Sequence, residues 1–166
     1  MGKIKKLSEV VKIARQAKKQ SQTVGLITGC FDILHIDHIR LFQFAKKHCD
    51  VVIVGLDNDP TIRLSKGEGR PIHTQKIRSQ VLAELESVDY VFLMERVINF
   101  GTEEANVFHS RLVDIIKPTY LITNPRADRF WKEKYRRARR IGAILLQDSR
   151  KTTSSTKILE HLLNEL

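Results

Sequence analysis

The residues best suited to chemistry lie in one run, Thr28-Gly29-Cys30-Phe31-Asp32-Ile33-Leu34-His35-Ile36-Asp37-His38. Two histidines three positions apart share one helix face and can converge on a single ligand. A neutral imidazole donates a hydrogen bond, and a protonated pair would add positive charge, so phosphate is the ligand such a pair suits. The flanking elements put the run where phosphates bind. An apolar stretch from Val24 to Ile27 leads in, and Ile39, Leu41, Phe42, Phe44 and Ala45 follow at helical spacing. This reads as a buried strand passing through a glycine turn into a helix, with the histidines where the helix begins. Outside the carboxyl end of a parallel strand, the free N–H groups and dipole of a helix N-terminus attract anions. Plainer readings exist for each residue. Gly29 could simply end the strand, Phe31 belong to the core and Asp32 cap the turn. The histidines with Asp32 and Asp37 could instead bind a metal. Residue type alone leaves phosphate, metal and packing open.

The pattern Gly29-x-Phe31-Asp32-x-x-His35-x-x-His38 resembles the G-x-F-D-x-x-H-x-G-H signature of the cytidylyltransferase-like nucleotidylyltransferases. Near the other end, Ser154-Ser155-Thr156-Lys157-Ile158 resembles that family's I-S-T-T-x-I segment. Between them, Lys66-Gly67-Glu68-Gly69-Arg70-Pro71-Ile72, Arg78 and Val88-Asp89 keep the order and approximate spacing of the sugar-phosphate branch. The resemblance runs from residue 7 to 163. Within the branch, the Gly29–His35 and Lys66–Ile72 stretches are most similar to the adenylyltransferase domain of heptose-phosphate enzymes that feed lipopolysaccharide precursors. Glycerol-phosphate cytidylyltransferases are close behind, and FAD synthetases of archaeal type share the signature.

The resemblance implies transfer of AMP or CMP from ATP or CTP to a phosphorylated sugar or polyol, with pyrophosphate released and magnesium as cofactor. FMN as acceptor is the alternative within the class. A non-catalytic nucleotide- or nucleic-acid-binding module on the same fold is the alternative outside it. In nucleotidyl transfer the nucleophile is a phosphate oxygen already ionised at neutral pH. The demand is therefore alignment and charge stabilisation, without a strong base or a covalent nucleophile.

By resemblance, His35, His38 and Lys66 serve catalysis. Gly29, Cys30, Phe31, Asp32, Asn124, Ser154, Ser155 and Thr156 serve the nucleotide, and Arg78, Asp57 and Arg126 the acceptor. Lys66 is expected to reach the phosphates from a mobile loop. Magnesium is expected to be held through phosphates, with no site of protein ligands alone; Asp37 is the residue that could help position it. Three departures from the family pattern stand out. Asp37 occupies the glycine position between the histidines, where it could position magnesium, cap the helix or oppose the triphosphate. Lys151-Thr152-Thr153 replaces the glycine expected before the hydroxyl run. Thr123-Asn124-Pro125-Arg126-Ala127-Asp128 replaces the glycine- and aspartate-containing segment after the fourth strand, which leaves ATP and CTP undecided.

A chain of 166 residues with 42% hydrophobic and 7% aromatic content suits one α/β domain. We read residues 1–166 as that domain, with residues 1–22 as an N-terminal packing helix. Its apolar stretches are strand-sized, which speaks against a membrane-spanning helix. Two cysteines make no disulfide framework, and no apolar signal core follows the basic N-terminus, so a cytoplasmic protein is expected. The net charge of +10 attracts polyanions. It equally suits an enzyme whose substrates are phosphorylated. Arg126, Arg129, Lys132, Lys134, Arg136, Arg137, Arg139 and Arg140 crowd one segment with Phe130, Trp131 and Tyr135, a composition that can grip nucleic acid. A solvated outer helix, or a surface with one end facing an anionic acceptor, is the plainer reading, and nucleic acid is not the expected partner. A homodimer is expected only from the habit of relatives.

The continuous apolar runs at Val24–Ile27, Val51–Leu56, Asp89–Met94, Tyr120–Ile122 and Ala143–Leu146 predict strands covered on both faces. Helices are predicted over Leu7–Lys19, from residue 74 or 75 to Glu86, over Thr102–Ile116, Asp128–Ile141 and Ser155–Leu166, and after the signature. Thr61–Arg70 is predicted to be a loop. The alternation gives a single Rossmann-like, doubly wound parallel sheet of five strands with helices on both faces.

Overall fold

The computed structural model describes residues 2–150. In chain order it contains β1 (Ile4–Lys5), α1 (Leu7–Lys19), β2 (Val24–Gly29), α2 (Ile36–His48), β3 (Val51–Asp57), α3 (Asp59–Lys66), α4 (Gln75–Glu84), β4 (Tyr90–Met94), α5 (Glu103–Ile116), β5 (Tyr120–Thr123), α6 (Trp131–Arg140) and β6 (Ile144–Gln147). The strands form one sheet in the order β1-β4-β3-β2-β5-β6, with every pairing parallel. The sheet therefore has six strands, not five. The addition is β1, two residues at the edge, where Ile4 lies opposite Val91 and Lys5 opposite Phe92. So short a strand, flanked by lysines, carries no apolar run to announce it.

Side-chain alternation along the strands divides the core in two. Leu26, Ile53, Phe92 and Leu121 face α1, α5 and α6, where Val10, Ala14, Leu112, Ile116 and Ala138 meet them. Ile27, Val52, Val54, Val91 and Ile122 face α2 and α4, with Phe42, Ala45 and Leu82. Both faces are thus covered, as strands without polar alternation require. Each enclosed aliphatic side chain, Ile53 at 0% exposure for example, contributes about 1.5–3 kcal/mol by leaving water.

Two helices differ from expectation. Residues 59–66 form α3 where a loop was expected. Asn58 caps it, its side chain accepting from the Thr61 N–H at 2.9 Å, and Pro60 stands in the first turn. Proline at that position loses no helical hydrogen bond and arrives with helical φ. Only the chain beyond Gly67, whose φ is +87°, remains irregular. The basic helix α6 starts at Trp131, three residues later than predicted. The Asp128 side chain accepts from the Phe130 N–H at 2.9 Å, a local turn that competes with a helical start.

The strand order fixes where a ligand belongs. From β2 the chain builds outward through β3 and β4, then returns through α5 to β5 on the other flank of β2. The winding reverses between β2 and β5. A crevice opens there, outside the carboxyl ends of the strands.

Candidate active site

That crevice is a cleft of about 470 Å³. One side is the β2–α2 turn. His35 is the N-cap residue of α2 and His38 lies in its first turn. The imidazole centroids are 3.9 Å apart and the rings 33° from parallel, so the pair presents one face to the cleft they line. Burial, then the charges of His35 and Lys66, pushes His38 down to about 4. His38 is therefore neutral at pH 7. Its Nδ1 accepts a long 3.4 Å bond from the His35 N–H, which leaves the ring proton on Nε2 as a donor. Burial also lowers His35, against the opposing pull of Asp37. Of the two protonation states considered from sequence, the fold favours the neutral donor.

The turn itself is strained and tightly fitted. Phe31 has φ +45°, the left-handed region that costs an L-residue roughly 1–2 kcal/mol. Its ring folds back over Gly29, where a Cβ would meet it at 3.0 Å. It also meets His38 edge-on at 5.4 Å and Phe42 at 5.1 Å. Gly29 is thus the residue that lets Phe31 wedge between strand and histidine.

Asp32 holds a neighbouring segment in place. Its carboxylate, 3% exposed, accepts from the Ile72 and His73 N–H groups, both at 2.9 Å, and from Arg70 Nε at 2.8 Å. Burial alone would raise its pKa; those donors outweigh burial and hold it below the ordinary carboxylate range. Asp37 lies 3.7 Å from His35 Nδ1 and 3.5 Å from Arg40. Its charge is shared with those neighbours beside the cleft.

Asp57 ends β3 and lines the cleft with Cys30, whose thiol donates to it at 3.4 Å. Burial raises Asp57 to about 6 despite nearby Lys134, Arg78 and Lys66. Burial and the Asp57 charge push Cys30 up to about 12, so this cysteine is no thiolate nucleophile. Lys66, in the last turn of α3, also lines the cleft.

The second side of the cleft comes from β5, α5 and α6. Asn124 accepts from the Arg126 N–H at 2.9 Å and donates to the Arg150 carbonyl at 3.0 Å. Arg150 in turn donates to the Arg40 carbonyl of α2 at 2.9 Å, so the described chain ends beside the signature helix. Asp128 receives Thr123 Oγ1 at 2.6 Å and Lys134 Nζ at 2.7 Å. Lys134 also reaches the Thr28 carbonyl at 3.4 Å.

The structure brings together most residues singled out from sequence. Gly29, Cys30, Phe31, Asp32, His35, Asp37, His38, Asp57, Lys66 and Asn124 all line the one cleft. Two do not. Arg126 is exposed and outside the lining. Arg78, considered for the acceptor, is 2% exposed. Its guanidinium donates to the carbonyls of Cys30, Asp57 and His73 and to the Asp59 carboxylate at 2.6 Å. These bonds tie the ends of β2 and β3 to α3 and to the segment before α4, so Arg78 positions the cleft floor from beneath. Ser154, Ser155 and Thr156 lie outside the described residues. Sequence reasoning missed Phe100, Asn106 and His109, which enter the cleft from α5 and the segment before it. They stand alone in an ordinary amphipathic helix and its lead-in, so only the tertiary fold reveals them.

The cytidylyltransferase-like family model matches residues 26–161. The chain belongs to the cytidylyltransferase-like family, and with it to the nucleotidyltransferases. It is 36% identical over 119 residues to the bifunctional protein HldE of Aliarcobacter butzleri, covering 72% of this chain and 23% of that protein. The chain thus spans about a quarter of the length of such curated relatives. Among solved structures, the lipopolysaccharide core biosynthesis protein from Thermoplasma volcanium is 25% identical with a TM-score of 0.60, covering 79% of this chain and 99% of that one. A pantoate-beta-alanine ligase from Francisella tularensis, 21% identical with a TM-score of 0.64 over 100% of this chain and 79% of its own, shares the fold. The similarity to the sugar-phosphate branch seen in the motifs is therefore borne out.

Proposed function

We propose that the chain transfers AMP or CMP from ATP or CTP to a phosphorylated sugar or polyol. An oxygen of the acceptor phosphate forms a bond to the α-phosphorus. The bond from that phosphorus to the α–β bridging oxygen breaks, and pyrophosphate leaves with the electron pair. The observation that carries this reading is the closely apposed, neutral histidine pair at a helix N-terminus on the switch-point cleft, with Lys66 and Lys134 lining the same space. His38 Nε2–H donates to oxygens whose charge grows in the transition state, Lys66 supplies positive charge, and the α2 N-terminus contributes the positive end of its dipole. Likeness to HldE proteins and to a lipopolysaccharide core biosynthesis protein favours a sugar phosphate over FMN.

Among the described residues no group of three or more His, Cys, Asp or Glu is arranged to hold a metal. Magnesium, when bound with the triphosphate, would neutralise phosphate charge. Asp37, at the rim, is the carboxylate that fits beside it, although Arg40 and His35 already share its charge.

Calorimetric titration with ATP and with CTP, each with magnesium, tests the reading at its first step. One of the two is expected to bind saturably below millimolar concentration. Absence of binding by either would sink it.

A further inference from the structure

The cleft is larger than the motif residues account for. Its signature end, with His35, His38 and Lys66, belongs to α2 and α3. Its other end lies between α5 and α6, on the opposite face of the sheet, and the signature supplies no residue to it. Phe100 and Phe130 form an aromatic wall there, their centroids 5.8 Å apart, and Phe100 lies parallel to the His109 ring at 6.4 Å and 11°. Arg137 is 9% exposed and donates to Asn106 Oδ1 at 2.9 Å. Among the described residues no carboxylate stands within ion-pair distance of it, an unusual state for a buried guanidinium. Lys134 stands between the two ends, tied to the Thr28 carbonyl at the end of β2.

Phosphoryl-type displacement needs the attacking and leaving oxygens roughly in line. With pyrophosphate held at the α2 side, the attacking group must arrive from the α5–α6 side. On that basis, which rests on the transferase reading above, we infer that the α5–α6 end is the acceptor subsite, taking a singly phosphorylated polyhydroxy compound. The acceptor phosphate meets Lys134. Asn106, His109 and Arg137 hydrogen-bond its hydroxyls, and Phe100 and Phe130 cover an apolar C–H face. His109 is held neutral at pH 7, since burial and then the Arg137 and Lys134 charges push it down to about 3. A neutral imidazole both donates and accepts, as hydroxyl recognition asks. A guanidinium beside an amide offers several donors and one acceptor to the same end.

The test uses two variants, His109→Ala and Asn106→Ala, against a heptose phosphate, a hexose phosphate and glycerol phosphate. Acceptor KM is read from pyrophosphate release, nucleotide affinity from calorimetry, and sugar-phosphate affinity from calorimetry without nucleotide. Each variant is expected to weaken acceptor binding about tenfold, as for one lost hydrogen bond, while nucleotide affinity stays within about twofold. Weakened nucleotide binding with unchanged acceptor KM would overturn the assignment and give this end to the base. Unchanged acceptor and nucleotide affinity in both variants would also overturn it. If the wild type binds a sugar phosphate through these residues yet releases no pyrophosphate, the transferase reading fails while the subsite stands.

Discussion

In the proposed transfer, His38 concentrates the chemistry of the site in one proton. The ring is half-buried, neutral and oriented by the backbone N–H of His35, so in that transfer it donates a hydrogen bond where charge develops. Removing such a donor costs about 10²–10³ in rate. His38→Ala is therefore expected to lower kcat by that factor while calorimetric nucleotide affinity changes little; a drop in affinity with kcat intact would reassign the ring to ground-state binding. Three groups shielded from water also set the pH response. An unfolded histidine takes its proton near 6.5, whereas His38 does so near 4 and His109 near 3. Between those values the unfolded state binds more protons, so stability present above pH 6.5 is lost as pH falls through that window. Asp57 has the opposite sign. Burial raises it from 3.8 to about 6, the folded state binds the extra proton, and stability falls as pH rises across that interval. Two histidines outweigh one carboxylate, and urea unfolding is expected to show stability rising from about pH 4 to 6.5. His109→Asn should flatten that rise and Asp57→Asn should steepen it; the reverse pattern would contradict the assigned burial.

At the scale of elements, α3 and α4 determine whether the cleft is assembled. Asn58 caps α3 and also donates to the Met94 and Glu95 carbonyls at 2.9 and 2.8 Å while only 4% exposed. It pins the helix carrying Lys66 to the end of β4. Asn58→Ala removes a cap and leaves the buried Met94 carbonyl and the Glu95 carbonyl short of a partner, so a loss of about 2–4 kcal/mol is expected by urea denaturation. Loss below about 1 kcal/mol would mean that α3 is held by other contacts. The same helix shows where sequence reading stops. Asn58-Asp59-Pro60 is a helix start, with a capping side chain and a first-turn proline. Read beside Lys66, Gly67 and Gly69, it passes equally for the end of a strand and the start of a loop. The five longer strands were legible by their continuous apolar runs, which the four inner ones need because the sheet is covered on both faces. β1 has only two residues and pairs through backbone alone, leaving no such trace. The start of α6 was misplaced because Asp128 spends its side chain on Phe130, Thr123 and Lys134, which composition does not show.

For the molecule as a whole, sheet order turns dispersed residues into one cleft. β2 and β5 are neighbours in space and about ninety residues apart in sequence. Their adjacency lets His38 face Lys134 and Asn124. The signature histidines were legible as a pair at a helix start because the strand-turn-helix pattern is local. His109, Asn106 and Arg137 were not, because their convergence depends on α5 packing beside α6. Much of the net charge of +10 lies on α6, where Arg136 and Arg139 are exposed and Lys134 and Arg137 turn inward to the cleft. One side of the basic helix thus lines the cleft and the other meets solvent. No helix among the described residues is long and apolar enough to cross a membrane.

Pyrophosphate release, measured with ATP and with CTP in magnesium against a panel of sugar phosphates, polyol phosphates and FMN, tests the central claim most directly. The account predicts release that depends on one nucleotide and on a sugar or polyol phosphate. Release with FMN alone, or none with any pairing although a nucleotide binds, would contradict it.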